Sequence, residues 1–164
     1  MKNRNKKLIF LNNLLILGTI PTLSFAVSDK NAPNNTAIQP MIAHQLFERA
    51  KKNTNWKSAF VTGKHNQVVF MSISPNTNPK NEIGMETHPF DQIILIVEGQ
   101  GKADLSGEKS SVKSGDMLFI PQGTPHNLIN SNDKNDLKIV SIYSNTDIPA
   151  NSTYKKKEDE AKAE

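Results

Sequence analysis

The sequence predicts an all-β domain, a sandwich or barrel of short strands preceded by a short helix. Three observations carry that prediction. From Ser58 onward the residue pattern has a period of two, the signature of extended chain with one buried face. Turn signals break it at short intervals, at Pro89, Glu98-Gly99-Gln100-Gly101, Ser106-Gly107, Ser114-Gly115-Asp116, Pro121-Gln122-Gly123 and Asn132-Asp133. No helical pattern lies between them, so the strands close on one another instead of alternating with helices.

The elements follow in order. Residues 1–26 join a basic stretch (Lys2, Arg4, Lys6, Lys7) to an apolar run, Leu8 to Ile20, and a small-residue ending, Ser24-Phe25-Ala26. This is the three-part pattern of a secretory signal, with cleavage expected after Ala26 and export to the periplasm or beyond. The run holds 13 residues and contains Asn12 and Asn13, whereas a spanning helix needs roughly 20. No stable membrane insertion is expected once it is removed. Residues 27–40 are polar and rich in Pro and Asn, a flexible linker. Over residues 41–53, Ile42, Leu46, Phe47 and Ala50 recur at helical spacing. Strands are predicted at Ser58–Thr62, Gln67–Ser74, Gly84–His88, Gln92–Glu98, Gly101–Leu105, Lys109–Val112, Met117–Ile120, His126–Asn130 and Leu137–Tyr143. Helix and barrel together span residues 41–150. The tail, residues 151–164, is charged throughout from Lys155 and reads as a solvated terminus.

Composition narrows the function classes. The net charge of +4 belongs to Lys2, Arg4, Lys6 and Lys7; beyond residue 26 there are 16 basic and 16 acidic residues. A neutral mature chain offers no electrostatic case for nucleic-acid binding. With no cysteine, disulfides, thiolate ligands and a lipid-modified cysteine are all excluded. Stability must come from the core, a metal or a second subunit. Ile93 to Val97 is apolar on both faces of its strand. A barrel buries one of them, and a second sheet, the N-terminal helix or a second copy must cover the other. The expectation is a homodimer.

Two segments carry chemistry. Glu86 and His88 stand two apart, so their side chains leave the same face of extended chain. Gln92 opens the next strand after a Pro-Phe-Asp corner, and His126 opens a later strand after the Pro121-Gln122-Gly123 turn. In a closed antiparallel barrel these strand ends meet in one mouth. Imidazole nitrogen and carboxylate oxygen form a ligand set for a divalent metal such as Mn, Fe, Ni or Zn. Glu86, His88 and His126 alone make a two-His, one-carboxylate triad with open positions, and Gln92 adds an amide oxygen as a weak fourth donor. By residue type alone, Glu86 also fits a solvent-facing strand position, and each histidine a hydrogen-bonded turn. His44 and His65 have no companions and take no role.

These residues also match a family. Ser114 to Asn130 fits the second cupin motif, G-x5-P-x-G-x2-H-x3-N, at Gly115, Pro121, Gly123, His126 and Asn130. The first motif, H-x-H-x3/4-E-x6-G, is matched at His88 and Gly99; Glu86 stands in its first histidine position and Gln92 in its acidic position. The chain therefore resembles the small single-domain cupins, and among them a bacterial subgroup labelled mannose-6-phosphate isomerase-like. The resemblance implies a double-stranded β-helix, the jelly-roll barrel, with a divalent metal held by Glu86, His88, Gln92 and His126. It implies a metal-dependent enzyme on a small molecule, of dioxygenase or isomerase type, or else a non-catalytic metal- or small-ligand-binding module. A phosphosugar substrate is the least supported: no phosphate-cradling glycine loop is present, and Arg49 is the only arginine beyond the signal segment. Tyr143 and Gln122 are the further candidates for the pocket wall, where packing and turn roles also suit them.

Overall fold

Alternation interrupted by glycine accounts for the element boundaries. The computed structural model describes residues 39–78 and 81–162. The signal expected over residues 1–26 lies outside them, as does the linker up to residue 38. Among the described residues nine strands form: β1 (Lys57–Thr62), β2 (Gln67–Ile73), β3 (Gln92–Glu98), β4 (Gln100–Leu105), β5 (Glu108–Lys113), β6 (Met117–Ile120), β7 (His126–Asn130), β8 (Leu137–Tyr143) and β9 (Thr153–Tyr154). Two short helices, α1 (Leu46–Lys51) and α2 (Lys157–Glu160), flank them. Strands β1 to β8 fall on predicted strand segments; β9 was not expected.

One predicted strand fails as a ladder. Gly84–His88 meets β7 through one isolated bridge, Glu86 to His126, with a second just before it, Glu82 to Ile129. Between the bridges Gly84 turns left-handed, at φ 92°, which takes the chain out of register. Its N–H goes to the Asn127 side chain at 3.0 Å instead of to a strand carbonyl. The helix is also shorter than its pattern. Gln45 is left-handed, at φ 55°, immediately before α1, so the turn carrying Met41 and Ile42 stays outside the helix and exposed.

The strands form two antiparallel sheets in the order β6-β3-β8-β2-β1-β9 and β5-β4-β7. This is the predicted jelly-roll architecture. The main core includes Val69, Met71, Ile73, Ile94, Ile96, Leu128, Leu137 and Ile139. Each aliphatic side chain so buried contributes about 1.5–3 kcal/mol, and no disulfide is present. Outside the larger sheet a second cluster joins Ala50 of α1 to Phe70, Val97 and Val140, with Leu46 and Leu95 packed against it. The second apolar face of β3 is therefore covered in part by α1. Met117 and Phe119 of neighbouring β6 remain 61% and 55% exposed. Among the described residues no helix is long and apolar enough to cross a membrane.

The reading of the tail as solvated does not hold over Lys157–Glu160, which are half-buried. β9 pairs with the start of β1, Tyr154 opposite Lys57. The chain is thereby carried back beside a buried cation that attracts the Glu160 carboxylate.

Asn130, the last residue of the second motif, holds the domain together and takes no part in chemistry. It is fully buried, and its Nδ2 lies 2.9 Å from the carbonyls of Ile73, Ser74 and Asn135. Its Oδ1 accepts the Asn132 N–H. One side chain thus satisfies the backbone where β2 ends and the β7–β8 connection begins. Asn130→Ala should destabilise the fold by about 2–4 kcal/mol, since several buried backbone groups lose their partner at once. Denaturant unfolding of the metal-free protein measures this.

Candidate metal centre

A reciprocal backbone pair sets the register of the site. Glu86 N donates to His126 O and His126 N to Glu86 O, both at 2.9 Å. Residues directly opposed in an antiparallel pair project to the same side, so the Glu86 carboxylate and the His126 imidazole emerge together. His88 follows two residues on, anchored where Gly123 N donates to His88 O at 2.8 Å. Gly123 is at φ 77°; the left-handed turn it permits brings the chain before β7 against His88. One ligating atom from each of Glu86, His88 and His126 lies within 4.8 Å of the others.

The rings are aimed from behind. His126 Nδ1 lies 2.9 Å from the Thr124 carbonyl. A carbonyl only accepts, so Nδ1 carries the proton and Nε2 presents its lone pair. The His88 ring stacks on Phe90 at 5.0 Å between centroids and meets the Tyr143 edge at 5.5 Å. Both Nε2 atoms are buried without a hydrogen-bond partner. His88 Nε2 stands 3.4 Å from Glu86 Oε2, an ion-pair distance without hydrogen-bond geometry. Two buried imidazole nitrogens without hydrogen-bond partners, gathered with a carboxylate, are a donor set that fits a cation.

Gln92 belongs to the opposite wall. In the larger sheet it stands between Ile120 and Tyr143, in a buried inward row continued by Gln67. Its Nε2 donates to Ser141 Oγ at 3.2 Å, which leaves its buried Oε1 unpartnered. The larger sheet thus supplies Gln92 and Tyr143, and the smaller sheet with its bridged segment supplies His126, Glu86 and His88. His44 and His65 are exposed and Gln122 lies in an exposed turn, where its N–H donates to Asp91 at 2.8 Å.

Three residues escaped the sequence reading. Lys57, 3% exposed, pairs with Asp147 at 3.3 Å and with Glu160. Asp147 Oδ1 in turn lies 3.7 Å from His88 Nδ1. Gln67 pins the Asp147 loop: its Oε1 accepts from the N–H groups of Asp147 and Ile148 at 3.0 and 3.1 Å. Nothing in the local pattern marks Lys57 as buried, and the carboxylates that make its burial possible lie 90 and 103 positions away. With Glu86, Thr87 and His88 these residues line a pocket of about 360 Å³. Three carboxylates against one ammonium leave that lining at a formal −2 with histidine neutral, the charge that one divalent cation cancels.

Burial opposes ionisation of Glu86, but the His88 ring beside it and the Lys57 ammonium outweigh burial and hold the carboxyl below its ordinary value. Burial likewise opposes the charge on Lys57, and Tyr143, Asp147, Glu86 and Glu160 together keep it above the ordinary lysine range. The Tyr143 hydroxyl is pushed up, chiefly by burial.

Comparison with known proteins agrees with this geometry. Residues 76–143 match the Cupin domain family, a span holding Glu86, His88, Gln92 and His126. The crystal structure of BH2720 from Bacillus halodurans superposes with a TM-score of 0.71 at 28% identity, over 77% of this chain and 97% of that one. This is a cupin fold. The uncharacterized protein YrkC of Bacillus subtilis is 33% identical over 121 residues, 70% of this chain and 62% of that protein. An uncharacterized protein of Acanthamoeba polyphaga mimivirus is 37% identical over 107 residues, 62% of this chain and 64% of that one. The chain therefore spans less than two thirds of either relative. Within the matched span, the two departures of the first motif stand on different walls, Glu86 on the segment bridged to β7 and Gln92 on β3, while Gly123 and Asn130 of the second motif shape the chain that carries His126.

The lowered Glu86 carboxyl has a consequence for acid stability. A depressed folded value adds stability above the ordinary value of 4.5, and that stability is lost as pH falls from there through the folded value. In metal-free protein, Glu86→Gln should flatten this part of the stability curve and leave the slope near neutrality unchanged. Urea midpoints measured between about pH 6 and pH 3 test the sign.

Proposed function

We propose that the protein binds one divalent metal through Glu86, His88, His126 and the amide oxygen of Gln92, and acts as a metal-dependent enzyme on a small molecule held in the adjoining pocket. The observation that carries this reading is the pair of buried, unpartnered Nε2 atoms of His88 and His126, gathered with the Glu86 carboxylate. Two imidazoles, one carboxylate and one amide oxygen suit Mn, Fe, Ni or Zn, with one anionic donor in the set. When bound, such a metal supplies Lewis acidity and open positions for a substrate oxygen. The protein's own part is to aim the histidines from the Thr124 carbonyl and the Phe90 and Tyr143 rings, and to close the back of the site with an apolar core.

A non-catalytic binding module is the second reading. The observation favouring it is that Lys57 is already paired with Asp147 and Glu160, and the remaining carboxylate of the pocket, Glu86, belongs to the proposed ligand set. Turnover of candidate small molecules by metal-loaded protein separates the two.

His88→Ala and His126→Ala should each lower metal content sharply, and the double variant should abolish it. Gln92→Glu should tighten binding, because a carboxylate offers a full charge where the amide offers a dipole, and Glu86→Ala should weaken it. Calorimetric titration with Mn, Fe(II), Ni and Zn measures all four. Undiminished occupancy in the double variant would rule the site out.

We further propose that the chain is exported and dimeric. The supports are the basic–apolar–small pattern of residues 1–26 and the uncovered Met117 and Phe119 beside β3. Native mass spectrometry of exported protein should find two copies of a chain beginning at Val27. Retained Met1 would refute the export reading, and a single copy the dimer.

A further inference from the structure

We propose that Trp56 and Lys57 form a carboxylate receptor at the mouth of this pocket, with Glu160 as its resident occupant, and that the small molecule bound there is a carboxylic acid whose carboxylate displaces Glu160. The inference rests on the metal-dependent reading of the same pocket and names its ligand class.

Each oxygen of the Glu160 carboxylate has its own donor. Oε2 accepts from the Trp56 indole Nε1–H at 2.8 Å, and Oε1 pairs with the Lys57 ammonium. Both donors are almost closed to water, Trp56 at 5% and Lys57 at 3% exposure. A buried N–H and a buried ammonium each require an acceptor. The two-pronged arrangement therefore recognises a carboxylate as such, and Glu160 shows how one sits in it.

The two sides of the contact differ in rigidity. Lys57 belongs to β1, which is paired on both edges, with β2 and β9. Asp147, its other partner, is fixed through its loop backbone by Gln67 and cannot leave easily. Glu160 is carried by α2, a single turn of four residues with none buried. In the same turn Lys157 Nζ donates to Glu82 O at 3.0 Å and lies 5.4 Å from the centre of the Trp56 ring. One helical turn has little cooperativity of its own, so Glu160 is the carboxylate that exchanges.

Location and charge give the exchange a purpose. Glu160 and Lys57 line the same pocket as Glu86 and His88, while Trp56 lines the cavity on the other side of the Glu160 carboxylate, so an acid seated on Lys57 has the rest of its skeleton beside the proposed metal ligands. With a divalent ion bound and Glu160 withdrawn, the formal charge of the lining becomes +1, and a monoanionic acid restores neutrality. A volume of about 360 Å³ admits a compact acid and excludes a polymer chain.

Trp56 is the only tryptophan in the chain, so its emission reports on the receptor. The experiment titrates the wild-type protein, Glu160→Ala and Glu160→Gln with acetate, lactate and succinate, and with acetamide and lactamide as neutral controls. Each is run on manganese-loaded and on EDTA-treated protein. Glu160→Ala should bind the carboxylates about tenfold more tightly than wild type, because it removes a tethered competitor whose effective concentration is in the mM range. Trp56 emission should shift with the acids and stay constant with the amides. Glu160→Gln, which preserves the side-chain shape, should gain affinity in the same direction. Adding Trp56→Phe to Glu160→Ala, followed by calorimetry, should remove most of the gain. Equal acid affinity in wild type and both Glu160 variants, or an equal response to acids and amides, would overturn the proposal. Acid binding that persists in EDTA-treated protein supports the receptor whatever the fate of the metal reading, which manganese titration without acid decides separately.

Discussion

Two backbone hydrogen bonds between Glu86 and His126 are the constraint on which the site depends. They join a segment that is barely a strand to the first residue of β7, and they hold the two residues directly opposite each other. A slip of one residue would send one of the two side chains to the wrong face. The register is kept by the neighbouring elements. Gly84 absorbs the irregularity on one side, and the Gly123 turn ties back to the His88 carbonyl on the other.

From that constraint follows an interior with a polar end. Most of the space between the sheets is filled with aliphatic side chains, but at the His126 end the inward positions are Gln92, Tyr143 and Gln67. Each buried polar group there is accounted for in a definite way. Gln67 spends both ends of its amide on Thr62 and on the loop backbone at Asp147 and Ile148, while Gln92 uses only its nitrogen. Gln92 Oε1 and the Nε2 atoms of His88 and His126 are buried without a hydrogen-bond partner, and the two imidazoles are gathered with the Glu86 carboxylate. A polar interior is costly when partly satisfied, and this distribution is what a metal-binding interior requires.

The charged rim is organised by a different logic. Lys57 stays ionised in a buried position because carboxylates from distant parts of the chain surround it. Removing one member would leave the others uncompensated, so the rim behaves as a unit. The least anchored member is Glu160, carried by a single helical turn, and this asymmetry makes the C-terminal turn a functional element. Read as a run of charges, the same segment looks like solvated tail.

The sequence by itself determined the class of fold and the extents of β1 to β8, and it singled out Glu86, His88 and His126, which the structure gathers, and Gln92, which stands on the facing sheet. These are local properties: period-two alternation, glycine and proline at turns, and donor atoms at strand ends all act within a few residues. It also located the surplus apolar face of β3 and offered the N-terminal helix among its covers, which α1 is in part. Only the tertiary structure decided that Glu86 faces His126 through a bridge and not a ladder, that the Gln92 amide turns its oxygen free, and that Lys57, Asp147 and Glu160 form one rim. Those outcomes depend on charges and hydrogen-bond partners separated by scores of residues, and no local pattern records which distant carboxylate will meet a buried lysine.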